Sequence, residues 1–172
     1  MSDQSRQMTP EEAAEFAEQV FNKAREGDAA MMAALLSKGL PPNLRNHKGD
    51  TLLMLAAYHG HVDTVKVLLE HKADPEIRND NGQSPIAGAA FKGDLAVVSA
   101  LVDGGAQVEG SSFDGRTALM MAAMFNRVAI VDYLISKGAD PKAKDANGVS
   151  ALDAAKTMGA VDTTAQLEKL LS

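Results

Sequence analysis

Apolar residues return along this chain in one fixed frame. Leu53, Ile86, Leu119 and Leu152 stand 33 residues apart, as do the pairs Ala56-Ala57, Ala89-Ala90 and Ala122-Ala123. Farther along, the frame carries Leu68-Leu69, Leu101-Val102 and Leu134-Ile135, then Ala73-Asp74, Ala106-Gln107 and Ala139-Asp140. Turn-forming residues keep the same step: Gly49, Gly82, Gly115 and Gly148 are each followed two positions later by Thr51, Ser84, Thr117 or Ser150. The frame extends back to Gly27-Asp28, Leu35-Leu36 and Gly39, and forward to Gly159 and Leu167. Self-similarity at a single period is the signature of a repeat architecture, in which each unit buries its apolar face against the next.

Each unit has a physical reading. Asn81-Gly82 and Asn147-Gly148 supply the positive φ of a tight turn, and His47-Lys48-Gly49 and Phe113-Asp114-Gly115 do the same with weaker turn formers. The next Thr or Ser is a helix N-cap, and Pro85 falls at a first helical position, where a missing N–H leaves nothing unsatisfied. A short helix follows, broken at Gly60 or Gly93. A second helix then ends before the left-handed caps Gly105 or Gly138. The predicted unit is therefore turn, helix, break, helix, with paired alanines that let inner helices approach closely.

The ends are expected to be polar caps. Thr9-Pro10-Glu11-Glu12 is a helix start with a capping box between Thr9 and Glu12. The first helix places Ala13, Phe16, Ala17, Val20, Phe21 and Ala24 on one stripe expected to face the core. At the other end Val161, Leu167, Leu170 and Leu171 are expected to face inward. Closed ends on both sides predict a monomer.

Composition narrows the chemistry. The 172 residues include 29 alanines but only seven aromatics, no tryptophan and no cysteine, a mixture suited to close helix packing. Without cysteine there is no disulfide framework, thiolate zinc site or cysteine nucleophile. A net charge of −6 gives no basic face to release counterions, so nucleic acid is not the expected partner. No run approaches the about 20 apolar residues of a membrane span, and Met1 to Gln19 has no apolar leader core. The expectation is a cytoplasmic protein with no membrane anchor.

The segment Gly49 to Asp74, GDTLLMLAAYHGHVDTVKVLLEHKAD, resembles the ankyrin repeat family, and the likeness runs over about residues 15–171. The resemblance implies an all-α ankyrin-repeat solenoid of about five helix-turn-helix repeats, with short finger turns and degenerate capping repeats. After a disordered tail over residues 1–8, a single domain over 9–172 would hold repeats at about 11–45, 46–78, 79–111, 112–144 and 145–172. Small free-standing proteins of this look point to a bacterial source. The family's histidine after its Thr-Pro-Leu is replaced by Met54, Ala87, Met120 and Asp153, so a bond that usually braces the finger is expected to be missing. Lys72 and Asn126 stand where the family has glycine, and Lys in a left-handed conformation is expected to cost about 1 kcal/mol. Gly88, inside a helix, adds about 1 kcal/mol relative to alanine.

Catalytic signals are few. All four histidines, His47, His59, His61 and His71, lie in the second unit, and His59 with His61 forms an HxH pair. A metal needs three or four convergent ligands, so no metal site, cofactor or enzyme activity is expected. The resemblance instead implies protein binding through the finger tips and the exposed side of the inner helices. It assigns the partner-binding role to Lys48, Gln83, Phe113 and Arg116 on the fingers and to Tyr58, His59, Phe91, Lys92, Met124 and Phe125 on the helices. Tyr58, Phe91 and Met124 recur at the repeat period and are expected to form one exposed row. This is the reading of a stand-alone adaptor for another protein. The alternative is an accessory protein for a haem enzyme such as catalase, with the Met and His residues of the same face handling its cofactor.

Overall fold

The structure is a computed structural model that describes residues 6–172. Of the tail expected over residues 1–8, positions 1–5 lie outside the described residues, and residues 6–8 carry no helix. The described residues form ten helices in five pairs: α1 Pro10–Glu26 with α2 Ala29–Ser37, α3 Leu52–Tyr58 with α4 Val62–Glu70, α5 Pro85–Lys92 with α6 Leu95–Asp103, α7 Ala118–Met124 with α8 Val128–Ser136, and α9 Ala151–Thr157 with α10 Val161–Leu171. None of them is long and apolar enough to cross a membrane.

The pairs stack in chain order. Helices α1, α3, α5, α7 and α9 form an inner row and the even-numbered helices an outer row, with each helix packed on its neighbours in the row. The alanine pairs on α3, α5 and α7 are almost wholly buried, where any larger side chain would hold the inner row apart. Between them Leu53, Ile86 and Leu119 are 0%, 2% and 1% exposed, so the residues that set the sequence period are the core. Thr51, Ser84, Thr117 and Ser150 each cap an inner helix by accepting the backbone N–H three residues on, at 3.1–3.3 Å. Such a cap is worth about 1 kcal/mol. Thr9 and Glu12 form the expected capping box on α1.

Hydrogen bonds at the starts of α4, α8 and α10 tie these outer helices to the pair before. His61, at the start of α4, places Nε2 2.7 Å from the Arg25 carbonyl oxygen at the end of α1. Arg127, at the start of α8, donates to the Phe91 carbonyl in the same way, at 3.2 and 3.4 Å. The side-chain carbonyl of Asn126 accepts from the Asp162 and Thr163 N–H groups at 2.9 and 3.0 Å, and the Thr163 hydroxyl donates to the Ala123 carbonyl at 2.7 Å.

The fingers between the pairs are tight turns, closed in three cases by an antiparallel bridge: Arg45 with Thr51, Ser111 with Thr117 and Lys144 with Ser150. Gly49, Gly82, Gly115 and Gly148 all take the left-handed conformation at their tips, with φ between 75° and 80°. The brace that sequence reasoning took to be missing is supplied by another column. The Asn46 side chain accepts from the N–H groups of Lys48 and Asp50, Asn79 from Asn81 and Gln83, and Asp145 from Asn147 and Val149. Ser112 occupies the same place and accepts from the Arg116 N–H.

Two expectations about the ends are corrected. On α1, Val20, Phe21 and Ala24 are buried, but Ala13 and Phe16 are exposed. The cause is length: α1 has 17 residues, about 25 Å, and α3 beside it has 7, about 10 Å, so only the later turns of α1 have a neighbour. On α10, Leu167 is buried, but Val161 and Leu170 are 75% and 46% exposed and Leu171 is half-buried. Thr163, fully buried with its hydroxyl bonded, holds the inward place that Val161 was expected to fill.

Candidate functional site

Fingers and inner helices leave between them a groove of about 750 Å³. Its walls come from the fingers through Lys48, Asp50, Asn79, Asn81, Gln83, Ser112, Phe113, Asp114 and Arg116. Its floor comes from α3, α5 and α7 through Met54, Leu55, Tyr58, Ala87, Gly88, Phe91, Met121 and Met124, with Phe125 at the end of α7. A cleft of this size, apolar below and polar at its edge, has the form of a site that takes part of another molecule.

Eight of the ten expected residues line this groove: Lys48, Tyr58, Gln83, Phe91, Phe113, Arg116, Met124 and Phe125. His59 and Lys92 do not, but both border it. The Lys92 ammonium stands 4.6 Å from the Tyr58 ring centroid, and the His59 ring lies edge-on to Tyr58 at 5.5 Å. The row is less open than expected. Tyr58 is 42% exposed, whereas Phe91, Met124 and Phe125 are half-buried, because the Phe91 and Phe125 rings pack perpendicular to each other at 4.7 Å. Phe113 is the most open of the aromatics at 68%. It lies against Gly82 of the preceding finger, where a Cβ would collide with the ring, and Arg78 sits 5.6 Å from its centroid.

Charge at the rim is uneven. The Asp50 carboxylate accepts from Asn79 Nδ2 at 2.9 Å, and Asp114 accepts from the Ser112 hydroxyl and pairs with Arg116 at 3.4 Å. That hydroxyl holds the Asp114 carboxyl below the usual range, against a smaller opposite effect of burial, and the Arg116 N–H and charge add to it. Both carboxylates of the groove are thus engaged. Lys48 and Lys92 form no ion pair among the described residues. Burial lowers the His59 pKa, and the nearby positive charges of His61, Lys92 and Arg25 lower it further. The HxH pair itself is split: the two rings lie 6.4 Å apart, and His61 is spent on the Arg25 carbonyl. Among the described residues no three His, Cys, Asp or Glu side chains converge to hold a metal ion.

The sequence pointed to only part of the floor. Met54, Leu55, Ala87, Gly88 and Met121 also line the groove, although in the sequence Met54 and Ala87 stand out only as replaced histidines and Gly88 only as a weak point of its helix. The signal was in the repeat frame, which aligns Leu55, Gly88 and Met121 in one column.

The family described as ankyrin repeats matches residues 20–111, 71–145 and 105–167, three overlapping stretches that together take in most of the chain. A Pseudomonas aeruginosa protein named as an ankyrin repeat protein is 56% identical over 67 residues, which is 39% of this chain and 39% of that one. The human ankyrin repeat domain-containing protein 29 is 42% identical over 55 residues, 31% of this chain and 18% of the human protein. The chain thus matches less than half the length of either relative.

Proposed function

Because the chain belongs to the ankyrin repeat family, whose members are generally protein–protein interaction modules, we propose that it is a non-catalytic adaptor that binds another protein in the groove between its fingers and inner helices. The observation that carries this reading is that eight of the ten residues to which the family likeness gives the partner-binding role, from three fingers and three helices, line one groove. Aromatic, Met and Arg side chains with a polar rim are the composition of interface cores. Helix packing alone does not require Phe113 to stand open beside Arg78, nor Tyr58 to stand open under an ammonium group. On this reading the chain works as a cytoplasmic monomer, with neither nucleic acid nor membrane as its target.

Partner recovery from cell lysate tests it with three baits: wild type, Tyr58→Ala/Phe91→Ala on the groove, and Glu70→Arg/Asp103→Arg on the exposed outer helices. A protein lost only from the groove variant is the expected result. Loss only from the outer-helix variant would move the interface to the opposite side.

A further inference from the structure

The groove floor is not uniform along the stack. At the place of Leu55 on α3 and Met121 on α7, α5 carries Gly88; at the place of Met54 and Met120, it carries Ala87. The middle of the floor therefore lacks the side chains that stand on either side of it. Gly88 has no backbone need to be glycine: it is helical, and a Cβ there would meet only Tyr58 Cδ2, at an ordinary 3.8 Å. The space over it remains open, with Tyr58 and Phe91 beside it on the same floor.

Charge adds a second, independent observation. In a chain of net charge −6, the groove rim holds Lys48 and Lys92 with no ion pair among the described residues, while Asp50 and Asp114 are both engaged by their own neighbours. Of the other charges close by, Arg45 pairs with Asp80 of the next finger and Arg116 with Asp114 of its own, while Arg78, beside Phe113, is a third cation with no ion pair among the described residues. The cations left over call for carboxylates from outside.

We propose that the gap over Gly88 seats one bulky apolar side chain of a partner polypeptide, in a segment that carries Asp or Glu on both sides of that residue to meet Lys48 and Lys92. The assignment rests on the groove being the binding face, and adds to it what the partner must look like. An apolar anchor in a local hollow gives affinity, and rim charges of one sign fix its register and reject basic segments.

The test uses the full chain and a library of short random peptides displayed on phage, selected in parallel on wild type and on Gly88→Leu, which restores the side chain found at Leu55. Wild type is expected to enrich peptides with one Phe, Tyr, Leu or Met between acidic residues. One such peptide, synthesised, should bind Gly88→Leu and Lys48→Glu/Lys92→Glu each about tenfold or more weakly, and its Asn/Gln version should bind wild type weakly as well. Circular dichroism shows whether each variant folds; if Gly88→Leu does not, the charge variant and the Asn/Gln peptide still decide. Equal enrichment on wild type and Gly88→Leu, or peptides without carboxylates, would overturn the proposal. If such peptides are nevertheless lost from Phe91→Ser/Phe125→Ser, the groove reading stands without the Gly88 seat; if they bind that variant too, both readings fall. Self-association abolished by Gly88→Leu would assign the gap to a second copy of the chain, which also overturns the proposal.

Discussion

The third repeat and its two neighbours share a core and differ in their floor. Leu53, Ile86 and Leu119 are equally buried, and Thr51, Ser84 and Thr117 cap their helices in the same way, because stacking makes the same demand on every unit. One and two residues farther along the same helices, Met54-Leu55 and Met120-Met121 flank Ala87-Gly88. Of these six only Gly88 and Met121 are not buried, so it is in their column that the stack opens toward the groove and a change of side chain reshapes a surface. The difference teaches where to look for function in a repeat protein: in the columns where neighbouring units disagree although the scaffold does not require it.

The comparison predicts equal losses in the core. Ile86→Ala in the third repeat and Leu119→Ala in the fourth should each lower stability in a urea melt by about 2–5 kcal/mol, since both leave cavities in a closely packed row. A loss below about 1 kcal/mol at either position would mean that the units do not share one core, and the contrast with the floor would lose its basis.

The floor should respond more mildly. Phe91 and Phe125 are half-buried and pack on each other through a perpendicular ring contact, so replacing both with serine should cost about 1–3 kcal/mol for the pair, with the helical circular dichroism signal unchanged. A cost as large as that of two core truncations would place these rings in the core and remove them from the site. Gly88→Ala should move in the opposite direction, raising stability by about 0.5–1 kcal/mol, because the helix gains alanine's lower backbone entropy and the Cβ meets no obstacle. A loss of stability would show that the floor at Gly88 is packed and that the third repeat is not more open than its neighbours.

What the sequence disclosed follows the same division. Period, caps and core columns were legible because each is a repeated local demand: a Thr or Ser before every inner helix, a left-handed glycine at every finger tip, an apolar residue at every stacking position. Eight of the groove residues were legible through the likeness to the ankyrin repeat family, and among them Tyr58, Phe91 and Met124 also recur at the repeat period. The middle of the groove floor was not legible, since Gly88 matters through what is absent there, and only the packed neighbours show the size of the gap. The brace of the fingers by Asn46, Asn79, Ser112 and Asp145 was not legible from the family pattern, which gives that role to a histidine column this chain lacks. The outward turn of Phe16, Val161 and Leu170 was hidden for a simpler reason: an apolar stripe is buried only where another helix covers it, and the end helices have one covered side.

The smallest expected effect concerns the two residues with left-handed backbones that are not glycine. Lys72, at φ 70°, stands where the other repeats place Gly39, Gly105 and Gly138, and a Cβ on any of those three glycines would meet no atom within 4 Å. Backbone strain alone therefore separates Lys from Gly in this column. Relief of about 1 kcal/mol of left-handed strain, partly offset by the greater freedom of an unfolded glycine, predicts that Lys72→Gly raises stability by about 0.5 kcal/mol in a urea melt. Asn126, at φ 62°, is the control. Its side chain accepts two backbone N–H groups of α10 and donates to the Asp162 carboxylate at 3.0 Å, so the same change there cuts a tie between the fourth and fifth repeats. Asn126→Gly should lower stability although it relieves the same kind of strain, because asparagine tolerates this conformation and glycine cannot replace its bonds. If both glycines stabilise, the bonds of Asn126 add nothing to the stack; if both destabilise, Lys72 holds contacts in the second repeat that its equivalents in the third and fourth do without.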